Sequence, residues 1–427
     1  MIVKNEADCV EECLRSVSGI ADQIVVGDTG STDATVDMAR RCGADVIFVS
    51  WNNDFAEARN AVLAAADGDW LLHLDADETV DPAGARRIRF LVDKDGINAD
   101  AIELTLANYS EDTRAWRWVP ARPNDPYARG KPGFIAVPLL RLFRNRKGYE
   151  YREPVHESIT ESVIEHKGRI RREPDLLIHH HGYSPADERK AAFYLEILRR
   201  KALLRPHDPK AWHDLAEQLV GMDRPLDAEE AARRALDLEP EHLGAATTLA
   251  NILLNRGELD TARRVLEHLE QSGIQPPHVL TALAAIAIRT GDLERAIDRI
   301  ERIAEQRYLM GHLTRARVLD VVGRESDALA VLRSAQEWAP GIQEIHERIR
   351  AHELRCEGTR QLAADQITAA LQTLVHALES DPEDPLIHLA LAHALDRIGE
   401  TRRAEECRHR AYTLAPSLGQ RPPRNRE

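Results

Sequence analysis

The sequence predicts two domains of different class: an α/β domain with a mostly parallel sheet over residues 1–183, and an all-α array after it. Three observations carry this. Up to Tyr183, short runs of branched apolar residues alternate with helical stretches. Beyond Tyr183 the strand signals stop, and Ala, Leu, Glu and Arg, all good helix formers, take over. That second part also repeats at a nearly constant spacing.

The strand-like runs are Gln23–Val26, Asp45–Val49, Trp70–Leu74, Ala101–Leu106 and Leu139–Phe143. The first three sit between amphipathic stretches, as in βα units of a parallel sheet. Runs as continuous as IVV and VIFV suit strands covered on both faces. A helix is expected near Ala7–Val17, and Ser31 or Thr32 can cap the helix after the second strand. Asp54, with Glu57 three residues on, reads as a capping-box variant opening another helix.

In the second part, Ala228, Ala262, Ala296, Ala328, Ala370 and Ala404 are separated by 34, 34, 32, 42 and 34 residues. Gly257, Gly291, Gly323 and Gly399 each lie five residues before an alanine, and Pro240, Pro340, Pro382 and Pro416 twelve after one. The small residue lets two helices approach, the glycine turns the chain and the proline ends the second helix. This resembles the tetratricopeptide repeat, a helix pair of about 34 residues, in about six copies. The 42-residue step predicts a longer connection around Arg355–Ala364. The expected layout is 1–183, a connecting helix at 184–206, repeats at 207–416 and a polar, disordered tail at 417–427.

The chain has 427 residues and a net charge of −14, from 57 basic and 71 acidic side chains. An acidic balance argues against nucleic acid as the partner, because phosphate binding needs a basic face. No apolar run approaches the roughly 18–20 residues that span a bilayer, and Lys4, Glu6 and Asp8 interrupt any secretory pattern at once. Five cysteines without a framework read as reduced thiols, which implies a cytoplasmic protein.

Three motifs carry chemistry. Asp28 ends an apolar strand on a Gly-bearing turn, where a carboxylate can accept hydrogen bonds from a base or ribose. Arg59 lies early in its helix, where the dipole disfavours a cation, so it serves a ligand or a neighbouring carboxylate. The run Trp70–Leu74 leads straight into Asp75 and Asp77. In an extended chain those two side chains point the same way and suit Mg²⁺ or Mn²⁺ held with phosphate oxygens. An aromatic segment from Tyr109 to Pro138, with Trp116, Trp118, Tyr127 and Phe134, is an expected acceptor loop.

The strings MIVKNE, IVVGDTGSTDAT, WNNDFAEARN and GDWLLHLDADE together resemble the family 2 glycosyltransferases. The likeness is to a bacterial branch that joins this GT-A, Rossmann-like domain to tetratricopeptide repeats and includes sublancin-type peptide S-glycosyltransferases. It covers residues 1 to about 205 by ordered motifs and the rest by repeat architecture. The resemblance implies that Asp28 contacts the nucleoside, with Lys4, Asn5 and Glu6 lining the same end of the sheet. Arg59, Asn60 and Asp75 then lie at the nucleotide-sugar, and Asp77 is the direct metal ligand. His156-Glu157 matches a family motif that makes Glu157 the catalytic base. His180-His181-Gly182-Tyr183 matches another, with His180 as a further metal ligand. The resemblance also implies a first strand longer than Met1-Ile2-Val3, so a trimmed strand or an upstream start is expected.

The expected activity is inverting transfer from a nucleotide-sugar, UDP by family habit, with Mn²⁺ or Mg²⁺, to a peptide, protein or glycan acceptor. The repeats offer a concave surface for that acceptor or for a homodimer. The donor motifs all precede Pro185, so donor binding should not need the repeats. The alternatives are a catalytically lapsed scaffold, opposed by the intact acids, and a nucleotidyltransferase, which would want a Gly-rich basic loop near its start.

Overall fold

The computed structural model describes residues 1–93, 98–145, 147–181, 188–303 and 307–419. Two compact units result: Met1–Asp112 with Ala121–Arg224, and Thr113–Pro120 with Pro225–Glu427. The division falls at Arg224, later than the sequence boundary at 206.

The first unit opens with β1 (Ile2–Val3), α1 (Val10–Val17), β2 (Val25–Asp28), α2 (Thr35–Arg41), β3 (Asp45–Phe48) and α3 (Phe55–Ala64). β1, β2 and β3 are parallel, with Val3 opposite Asp28 and Asp28 opposite Phe48. Next in the chain come β4 (Trp70–Leu72), β5 (Glu78–Val80), α4 (Pro82–Asp93), β6 (Ala101–Ser110), β7 (Trp118–Pro120, grouped with the second unit), β8 (Gly133–Arg144), α5 (Thr160–Glu165) and β9 (Ile170–His180). The helices α6 (Glu188–Leu204) and α7 (Pro209–Gly221) complete the unit.

The second sheet has the order β4-β8-β6-β9-β5. There β6–β9 is parallel, while β4–β8, β6–β8 and β5–β9 are antiparallel. The expectation of a mostly parallel sheet thus holds for the first three strands and is corrected for the rest. A parallel neighbour needs a crossover helix, and none lies between β6 and β8.

Alternation along β8 sends Leu142 to one face, with Ile102, Leu104, Ile88 and Ile178, and Phe143 to the other, with Tyr151, Ile159 and Val163. Each such fully buried side chain stabilises the fold by roughly 1.5–3 kcal/mol. Beside the short β1, a cavity of about 310 Å³ is bounded by Met1, Val25, Leu71, Leu72 and Leu142. Among the described residues β1 pairs with β2 and not with β4, so the two sheets stay separate.

The second unit carries α8 (Pro225–Leu238), α9 (Leu243–Asn255), α10 (Leu259–Gln271), α11 (Pro277–Thr290), α12 (Leu293–Arg302) and α13 (Leu309–Val321). It continues through α14 (Glu325–Trp338), α15 (Gln343–Ala363), α16 (Ile367–Ser380), α17 (Pro385–Arg397) and α18 (Thr401–Leu414). After α8, these helices form five pairs, from α9 with α10 to α17 with α18. All six marker alanines are 0% exposed. The four marker glycines hold φ between 78 and 86°, and where glycine is missing, Asp223 and Asp365 take the same left-handed turn at 53 and 64°. Asp is among the few side chains that tolerate it.

The long step at Arg355–Ala364 is not a connection. It is helix: α15 has 21 residues against 13 in α9, α13 and α17. Gly358 inside it allows α16 to approach, since a Cβ there would lie 2.6 Å from Leu374 Cγ. Of the tail, Pro416–Gly419 forms a short 3-10 turn, and residues 420–427 lie outside the described residues.

Candidate functional site

Asp54 caps α3 by accepting the Glu57 N–H at 2.9 Å, as the capping pattern predicts. Arg59, the fifth residue of α3, is buried at 8% exposure. An Arg so buried needs carboxylates. Arg59 Nε meets Glu157 Oε1 at 2.5 Å, and its Nη2 meets Asp75 Oδ1 at 2.9 Å. From β8, Arg141 Nη2 reaches Asp75 Oδ2 at 3.2 Å and Glu78 Oε1 at 2.7 Å. His73 lies between the guanidiniums, 2.8 Å from Arg141 Nη1, and takes the Tyr151 hydroxyl at 2.8 Å.

Two arginines, one imidazole and three carboxylates thus share one cluster, and it sets the protonation of Asp75, Glu78 and His73. Burial works against the Asp75 carboxylate, but Arg59 and Arg141 hold it well below the usual carboxylate range. Burial pushes Glu78 up to about 7 despite Arg141. Burial and the Arg141 and Arg59 charges keep His73 neutral, far below the usual imidazole value.

Asp75 and Asp77 do not share an extended face. β4 ends at Leu72, the two acids flank a turn at Ala76, and each has its own partners. Asp77 Oδ2 lies 3.2 Å from His180 Nε2. Strand register makes that pairing: Glu78 stands opposite His180 between β5 and β9, and Asn108 opposite His180 between β6 and β9. His180 Nδ1 is 2.6 Å from Asn108 Oδ1. The two ring nitrogens are thus engaged by Asn108 and Asp77, which fixes the plane of the imidazole. Burial alone lowers His180, while the hydrogen bond and charge of Asp77, with Glu78 and Asp75, turn the net shift upward. One carboxylate and one imidazole, both partly exposed, fit Mn²⁺ or Mg²⁺ completed by phosphate oxygens and water. Among the described residues no three His, Cys, Asp or Glu side chains converge as a self-sufficient metal cage.

Asp28, 2% exposed at the end of β2, accepts the Gly30 and Ser31 N–H groups at 3.1 Å on Oδ2. Asn5, with φ 59°, accepts the Thr32 N–H at 2.8 Å, and the Ser31 hydroxyl accepts the Asn5 N–H at 2.9 Å. Glu6 N–H donates to Thr35 Oγ1 at 2.8 Å, and Lys4 is exposed. These bonds tie the ends of β1 and β2 into one rim. Ser31 and Thr32 therefore serve Asn5 rather than capping α2; Asp33 accepts the Thr35 N–H instead. Both ends of the Asn60 amide engage the Tyr151 backbone, at 2.9 and 2.8 Å. That latch holds the Tyr151 ring against Arg59 and His73.

The aromatic segment is packed rather than open. Tyr109 meets Phe134 edge-on at 5.6 Å, Tyr127 stacks on His179 at 4.0 Å and Trp118 is 3% exposed. Trp116, grouped with the second unit, lies 5.1 Å from His278 and 5.2 Å from Tyr308. Gly182 and Tyr183 lie outside the described residues.

Sequence reasoning missed His73, Glu78, Arg141 and Tyr151. For Arg141 a signal existed: a lone cation inside the apolar run Leu139–Phe143 must have a buried counter-charge.

Residues 1–152 match glycosyl transferase family 2, and residues 219–286 match the tetratricopeptide repeat. A TPR repeat-containing protein of Synechococcus elongatus is 30% identical over 321 residues, 72% of this chain and 65% of that one. The SPbeta prophage-derived glycosyltransferase SunS of Bacillus subtilis is 24% identical over 281 residues, 63% of this chain and 61% of SunS. An uncharacterized glycosyltransferase of Rickettsia bellii is 38% identical over 78 residues, 18% of this chain and 26% of its own. The chain thus spans slightly under two thirds of the length of the first two relatives. Its first part is thus similar to glycosyl transferase family 2 and its second part to the tetratricopeptide repeat.

Proposed function

We propose that the chain transfers a sugar, with inversion, from a nucleotide-sugar to an acceptor that docks on the repeats. Sugar transfer is supported by the likeness to a glycosyltransferase; UDP is the proposed nucleotide and a polypeptide the proposed acceptor. The observation that carries it is the convergence of Glu157, Arg59 and Asp75 on one side of the Asp75–Asp77 turn, with His180 on the other.

Glu157 accepts the proton of the acceptor hydroxyl, thiol or amine. The freed lone pair forms the new bond to the anomeric carbon from the face opposite the phosphate. The bond from that carbon to the diphosphate oxygen breaks, and its electron pair leaves with UDP. Arg59 orients Glu157 and keeps a positive charge beside the developing negative one. Asp28, with Lys4, Asn5 and Glu6, forms the nucleoside rim; Asn60 acts through Tyr151. Asp77 and His180 would hold Mn²⁺ or Mg²⁺, which when bound supplies charge neutralisation for the diphosphate.

The test is a panel of nucleotide-sugars incubated with the folded protein and Mn²⁺, read as released nucleotide, with acceptor peptides followed by mass shift. Release from a UDP-sugar and a sugar-sized mass gain are expected. No release from any donor would overturn the reading in favour of a binding scaffold.

A further inference from the structure

Lys201 of α6 is buried, its side chain 1% exposed, and its ammonium lies 2.7 Å from Glu153 Oε2 and 2.8 Å from Asp214 Oδ2 of α7. A charge taken so far from water persists only with partners on both sides. Arg205 also pairs with Glu153, and Lys210 with Asp214 at 2.9 Å. The cluster touches no part of the arginine–carboxylate site directly, yet Glu153 lies in the loop that presents Glu157.

That loop is closed at its ends and unusual between them. Arg152 and Ser158 exchange backbone hydrogen bonds at 3.0 and 3.1 Å, and Pro154 accepts the Phe55 N–H at 3.0 Å. Glu153 and His156 hold φ of 79 and 57°, left-handed conformations that non-glycine residues keep only when their surroundings impose them. The ion pairs on Glu153 are such an imposition.

We infer that Lys201 is a positioning residue for Glu157: by clamping Glu153 to α6 and α7, it holds the Arg152–Ser158 loop in the shape that sets Glu157 against Arg59. The inference rests on the reading of Glu157 as the base. It also assigns a role in the transfer site to helices beyond residues 1–152, the part matched to the glycosyltransferase family.

The test uses the full chain and Lys201→Met, Lys201→Arg and the double variant Lys201→Met/Glu153→Gln, each with and without Glu157→Gln. Three readouts are taken: amide exchange of residues 152–158 by mass spectrometry, UDP affinity by calorimetry, and UDP release from UDP-glucose and UDP-N-acetylglucosamine. With Lys201→Met, exchange in the loop should rise and turnover fall on the order of 10²-fold, as for a displaced catalytic group. UDP affinity should stay within about twofold, a split that general unfolding would not produce. Lys201→Arg should restore most of the turnover. In the Glu157→Gln background, Lys201→Met should add less than about twofold, because the two act through one group.

If Lys201→Met does not fold, the double variant removes the charge pair together and gives the same exchange measurement. Unchanged loop exchange overturns the clamp. So does a full further loss of turnover in the Glu157→Gln background. Parental turnover in Glu157→Gln alone would overturn the base assignment instead, and loop exchange would still decide the clamp.

Discussion

Arg59 of α3 and Glu157 of the loop before α5, 98 residues apart in sequence, share an ion pair of 2.5 Å with both side chains largely buried. The same guanidinium holds Asp75. One residue therefore ties the proposed base to the acidic turn.

Replacing Glu157 by Gln keeps the shape and a polar contact to Arg59 but removes the proton acceptor. Turnover should fall about 10²–10⁴-fold. UDP affinity, measured by calorimetry, should barely change, since Arg59 keeps Asp75. A loss of only a few-fold would move the base elsewhere.

Asp77→Ala should abolish transfer while leaving the melting temperature close to the parent's, because the Asp77 side chain is 30% exposed and its ion-pair partner is the single imidazole of His180 among the described residues. EDTA should reproduce the loss in the parent protein, and added Mn²⁺ should reverse it. Full activity in EDTA would remove the cation from the reading.

Arg141→Met leaves Glu78 buried without its closest partner and takes one of two guanidiniums from Asp75. Breaking a buried pair from one side costs roughly 3–5 kcal/mol. Arg114→Ala, which removes an exposed pair with Glu344, should cost about 0–1 kcal/mol. Urea unfolding of both variants compares the two, and equal midpoints would contradict the buried network.

In the second unit, His352 lies 3.2 Å from Asp320 Oδ1 and beside Arg355 and Cys356. Burial opposes its charge, but the Asp320 hydrogen bond prevails and raises it from 6.5 to about 9. The folded state therefore binds the proton more tightly than the unfolded one. That stabilisation is full below pH 6.5 and is lost as pH rises through about 9. Thermal unfolding should shift downward across that window in the parent and shift less in His352→Gln.

A chain ending at Arg224 keeps Lys201 paired with Asp214 and should still bind UDP, but it should lose transfer to the acceptor. A chain ending at Pro206 deletes Asp214 and should be less stable. Undiminished acceptor transfer by the folded shorter chain would leave the repeats a different task, such as dimerisation.

Local pattern was enough for the α/β start, the six repeat markers and the Asp54 cap. Each depends on spacing along one element or on a motif read in order. Even the turns that lack glycine, at Asp223 and Asp365, kept the period because the buried alanine and the left-handed turn recur together.

Tertiary structure decided the rest. Whether β6 and β8 lie parallel or antiparallel depends on the route between them, and that route carries no helix to mark it. The two acids of the turn diverge because Arg59 and Arg141 draw Asp75 while strand register brings His180 to Asp77. The eight extra residues of α15 stay helical because α16 packs closely at Gly358. Periodicity reports which face of an element is buried. The partner that meets a buried charge comes from a distant segment, and only folding brings the two together.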